Sequence, residues 1–85
     1  MLIERYKLPC LVNQCIKLDM QWNATILSVQ KEAGEIYLWA LIDPESEIRP
    51  KEFLIAETGV PIEHSILMCI GTIQHQWKRY HIFLL

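Results

Sequence analysis

Four side chains are spaced roughly as zinc ligands often are: Cys10 and Cys15 with four residues between them, and His75 and His81 with five. The odd offset between the two cysteines points them to opposite faces of a continuous strand, so they converge only if a bulge re-aims one. Histidines bracketing a turn are usually exposed or bonded to nearby backbone, and no metal is assigned. The three cysteines, Cys10, Cys15 and Cys69, are an odd count in a chain whose first residues resemble no secretory leader. Buried free thiols in a reducing compartment are expected, with Cys69, inside Leu67-Met68-Cys69-Ile70, inert for want of a nearby cation. Catalytic groupings are missing altogether. There is no G-x-S-x-G elbow, no H-E-x-x-H, no phosphate-cradling glycine loop and no paired-acid motif, and Asp43 precedes a proline, where it forms a turn. No catalytic residue and no cofactor are assigned, and the chain reads as a non-enzyme.

One short segment does concentrate recognition chemistry. His75-Gln76-Trp77-Lys78-Arg79-Tyr80-His81 interleaves two aromatics with two fixed cations. Such a set can stack on an adenine ring and hold its phosphate, or anchor a protein contact, so Trp77, Lys78, Arg79 and Tyr80 are candidate ligand- or partner-binding residues. The plain alternative is an exposed turn whose Trp packs on the edge of the fold. Long nucleic acid is a poor partner: eight Lys and Arg stand against ten Asp and Glu, giving a pI near 5.8. The acidic group Asp43, Glu45 and Glu47 reads as a solvated loop.

The elements that position these residues are strands. Apolar stretches rich in Ile, Val and aromatics recur every eight to twelve positions, separated by turn residues, and no stretch keeps a helical period. Strands are expected over residues 2–7, 11–18, 25–30, 36–42, 52–56, 65–74 and 79–84. Loops are expected at 31–35, with Gly34 supplying positive φ, at 43–50 between prolines, at 57–64 and at 74–78. Seven short antiparallel strands make an all-β domain spanning residues 1–85, a small barrel or sandwich. The longest apolar run, residues 36–42, is far short of a membrane span, and a cytoplasmic protein is expected.

Both faces of that run are apolar: Ile36, Leu38, Ala40 and Ile42 on one, Tyr37, Trp39 and Leu41 on the other. The same holds around Ile66 to Ile70 and Ile82 to Leu85. A strand apolar on both sides implies a cover on its outer face. That cover is read as a second copy of the chain or a target protein, with a terminal segment folded across the sheet as the alternative. Tyr37 and Trp39 are added to the candidate binding residues on this ground. Size points the same way, since a monomer of this mass buries only about 64% of its unfolded surface, a margin that self-association often supplements. A homo-oligomer is therefore expected.

With these residues in place, the chain resembles a family of small, functionally uncharacterised proteins of bacteriophages and prophages. The resemblance runs through Arg5-Tyr6-Lys7-Leu8-Pro9, Ala24-Thr25-Ile26-Leu27-Ser28-Val29-Gln30, Leu38-Trp39-Ala40-Leu41-Ile42-Asp43-Pro44, Thr58-Gly59-Val60-Pro61-Ile62, Ile70-Gly71-Thr72-Ile73-Gln74 and Tyr80-His81-Ile82-Phe83. Its relatives often carry a glycine-rich turn before the last strand, where this chain has His75-Gln76-Trp77-Lys78-Arg79. The resemblance implies stoichiometric binding in a host cytoplasm. The first expectation is an anti-defence inhibitor that docks by its apolar face and mixed-charge loops on a host immune protein and blocks it; the second is an oligomeric sponge for a nucleotide immune signal, with sites between subunits lined by groups such as Trp77, Lys78, Arg79 and Tyr80; the third is a structural or accessory phage protein.

Overall fold

In the computed structural model, which describes residues 1–85, short alternating segments become seven strands and no helix. They are β1 (Leu2–Leu8), β2 (Cys15–Gln21), β3 (Thr25–Glu32), β4 (Glu35–Ile42), β5 (Ile48–Glu57), β6 (Met68–His75) and β7 (Lys78–Leu84). All strand pairings are antiparallel, in a three-stranded sheet ordered β1-β4-β3 and a four-stranded sheet ordered β2-β5-β7-β6. The sheets stack face to face as a sandwich rather than closing into a barrel. With no helix at all, none is long and apolar enough to cross a membrane.

Period-two alternation builds the core between the sheets. Ile36 and Leu38 from β4 meet Ile16 and Met20 from β2, Phe53 and Ile55 from β5, Ile73 from β6 and Ile82 from β7, all buried in one cluster with Leu8. At one edge the Tyr6 hydroxyl donates to Gln21 Oε1 at 3.0 Å, linking β1 to β2. At the other edge β3 packs against β6 so closely that a Cβ on Gly71 would lie 2.8 Å from Val29 Cγ1.

The chain itself shelters the β5 part of the outer face of the four-stranded sheet. Phe53 and Ile55 of β5 point into the core, yet their neighbours Leu54 and Ala56, which point outward, are each only 2% exposed. Because β7 lies between β5 and β6, the connection between those two must cross it. Residues 58–67 make this crossing as a strap that lays Pro61, Ile62 and His64 beside Leu54 and Ala56. It rejoins the sheet where the Leu67 N–H donates to the Leu84 carbonyl at 2.9 Å. For β5, then, the cover is neither a second copy nor a terminal segment but an internal connection. The surface of the lone chain, 5495 Å², is close to the roughly 5,200 Å² of a monomer of this mass.

Three differences from the sequence reading have local causes. The expected strand at 11–18 starts only at Cys15, because Asn13 takes a left-handed backbone with φ 59°. There its N–H donates to the Ile55 carbonyl at 2.7 Å, and its Oδ1 accepts from the Glu57 N–H at 3.2 Å. Strand β5 reaches back to Ile48 through the proline-bounded segment, with Pro50 opposite Asp19. The strand expected from Ser65 begins at Met68, since the preceding residues belong to the strap. The cysteines also depart from expectation, all three being exposed. Cys10 lies in the loop before β2, and Cys15 and Cys69 face outward, opposite Leu54 and Phe83. The Cys15 thiol is nevertheless held above its ordinary pKa, by desolvation first and then by the neighbouring Glu52 carboxylate.

Candidate functional site

The β6–β7 hairpin closes through Gln76 and Trp77, whose φ angles are 47° and 71°. Two consecutive residues at positive φ make the tight loop whose twist matches that of the paired strands, and such loops favour Asn-Gly for steric reasons. Neither residue here is glycine, and each non-glycine residue held left-handed costs about 1–2 kcal/mol. The indole of Trp77 stands almost free of the protein, 97% exposed. The plain alternative, a Trp packed against the edge of the fold, does not describe this side chain.

Beneath the tip the backbone is fastened at several points. Lys78 Nζ pairs with Glu57 at 2.9 Å, which raises the lysine pKa, chiefly through their hydrogen bond and then through charge attraction. Thr58 reaches across the strand to the Arg79 carbonyl, which accepts from both its N–H (3.2 Å) and its hydroxyl (3.0 Å). With its proton committed there, Thr58 Oγ1 accepts from His81 Nε2–H at 2.9 Å, and His81 Nδ1 accepts from the Thr72 hydroxyl at 3.1 Å. This network ties the strap, β6 and β7 together directly under the tip. Trp77 and Arg79 are therefore carried on a held platform, and Arg79 forms no ion pair.

The candidate residues divide among three places. Trp77, Lys78 and Arg79 line a shallow open cleft with Glu57 and Thr58. Strand alternation turns Tyr80 inward instead, where it packs on the core and lines a cavity between the sheets. Tyr37 and Trp39 lie half-buried on the outer face of the other sheet, with the Arg5 guanidinium 4.2 Å from the Tyr37 ring centre and 5.9 Å from that of Trp39. Arg5 also pairs with Glu32 at 3.5 Å, so this aromatic pair is capped by a charged side chain. Trp39 Nε1 is buried there without a hydrogen-bond partner.

The spaced cysteines and histidines do not converge. Cys10 and His75 border the inter-sheet cavity, while Cys15 and His81 lie on the outer side of the four-stranded sheet. Sequence reasoning singled out the 75–81 segment but passed over Thr58, Thr72 and Glu57, the residues that fasten it. Only pairing register brings them under the tip, and nothing in their local sequence signals it. It also passed over Lys31, which borders the same cavity as His75 and Tyr80.

Fold and site together define a small β-sandwich that presents one exposed hairpin tip. The family follows from the whole chain: residues 1–85 match a domain of unknown function, DUF7352, and the protein belongs to that family. No curated protein and no solved structure matches it.

Proposed function

We propose that this chain is a non-enzymatic binding protein that docks on a partner protein through the β6–β7 tip, with Trp77 as anchor and Arg79 as flanking cation. The observation that carries this reading is Trp77 itself, 97% exposed on a left-handed backbone with φ 71°. Backbone strain of this kind persists where the surrounding structure holds it, and it collects at sites of function. Trp and Arg are the residue types that most often dominate interface energies, and an anchor on a held platform loses little freedom on docking. The resemblance to phage and prophage proteins names the partner class: a host immune protein in the cytoplasm, which the chain blocks as an anti-defence inhibitor.

The test is plating efficiency of a restricted phage in hosts carrying single defence systems. Expression of the wild-type chain restores plaques in one such host, and Trp77→Ala, which removes only exposed atoms, does not. A rise in melting temperature with a cyclic adenine nucleotide, lost in Arg79→Ala, identifies nucleotide capture instead. Unchanged plating in every host together with no nucleotide shift overturns both readings and leaves an accessory role.

A further inference from the structure

We propose that the open end of the sandwich, at the base of the β6–β7 hairpin, binds a small carboxylate with an apolar body, of the size of a single-ring aromatic acid. This goes beyond the docking reading and does not depend on it. The sheets part there around a cavity of about 230 Å³ whose floor is Ile36, Ile55 and Ile73. An apolar cavity of about 150 Å³ accepts a benzene ring, so this one has room for a ring and one substituent. Small-molecule sites combine such a floor with a few converging polar groups.

One cation at the cavity lacks a partner. Lys31 sits opposite Ile36 in the β3–β4 pairing and therefore on the inward side of its sheet. It forms no ion pair, whereas Glu35, the one carboxylate at the cavity, is taken by Lys7 at 3.3 Å. A carboxylate faces the Lys31 ammonium, while its apolar body lies on the isoleucines beside the Tyr80 ring. A single unpaired cation above an apolar floor suits a monoanion with a hydrophobic body better than a phosphate, which needs several donors.

The experiment is a backbone-amide NMR titration of the full chain with benzoate and, separately, with benzamide, its uncharged isostere. Benzoate is expected to shift Gly34, Ile36, Ile73 and His75 saturably, with benzamide at least tenfold weaker. Lys31→Gln, at an exposed position that leaves the fold intact, is expected to reduce benzoate to the benzamide level. In a Cys15→Ser, Cys69→Ser background, benzoate should also slow alkylation of Cys10 at the cavity rim severalfold. The proposal is overturned by the lack of a saturable shift at the cavity, by equal binding of benzoate and benzamide, or by undiminished binding in Lys31→Gln. Exchanging Gln76 and Trp77 for Asn-Gly leaves benzoate binding in place, which separates this site from the docking tip.

Discussion

The β3–β4 and β6–β7 hairpins turn on the same backbone geometry but carry opposite cargo. The first loop uses Ala33 and Gly34 at φ 49° and 81°, the second Gln76 and Trp77 at 47° and 71°. In the first, glycine takes the second left-handed position at no steric cost. In the second, the same position holds the bulkiest side chain available and directs it into solvent. Neighbouring hairpins in one small fold thus show that the geometry itself needs no Trp.

The largest effect is expected where the two hairpins touch. Gly71→Ala places a methyl group 2.8 Å from Val29 Cγ1, and pushing β3 from β6 costs about 1–3 kcal/mol, as overpacking does. Denaturant unfolding measures it, and Val29→Ala should restore part of the loss if the clash is the cause. Next comes the tip exchange. Replacing Gln76 by Asn and Trp77 by Gly removes two strained positions and stabilises the fold by about 1–2 kcal/mol, relief of left-handed strain exceeding the added freedom of glycine in the unfolded chain. At about 4–8 °C per kcal/mol for a domain of this size, a thermal melt resolves it.

The counterpart in the first hairpin is Gly34→Ala. No atom lies within 4 Å of the position its Cβ would take, so its cost of about 1 kcal/mol is conformational alone. The two loops should respond with opposite signs, and a Gly34→Ala melt equal to wild type would break the comparison. The smallest effect concerns the fastening under the tip. Pairing with Glu57 raises the Lys78 pKa, so its contribution is complete at neutral pH and disappears only as pH rises through the raised value. Glu57→Gln should lower the Lys78 titration midpoint seen by NMR and leave the neutral-pH melt almost unchanged, since the pair is solvent-exposed.

Strand number, class and most boundaries were legible because alternation and turn residues are local properties. Gly34 marked one hairpin correctly, and residues 36–42 showed their two apolar faces. The cover of the outer face was not legible, because it depends on strand order: a strap crosses β7 only because β7 is inserted between β5 and β6. Cysteine burial failed for a related reason, since periodicity separates two faces without saying which one is the core. The left-handed turn at Asn13 and the tip at Gln76 and Trp77 also escaped, the latter because its sequence lacks the glycine that announces such loops. The 75–81 segment was found by composition, yet alternation splits it, sending Arg79 outward with the tip and Tyr80 inward to the cavity.

Under the proposed docking role, Trp77 is kept exposed and strained for contact with a partner protein. The direct measurement is capture from defended-host lysate by the immobilised wild-type chain and by the Asn-Gly tip variant, with the melting temperature recorded on the same two preparations. The variant is expected to melt higher while a host protein held stoichiometrically by the wild type is lost. A variant that melts higher and holds the same protein as tightly would contradict it.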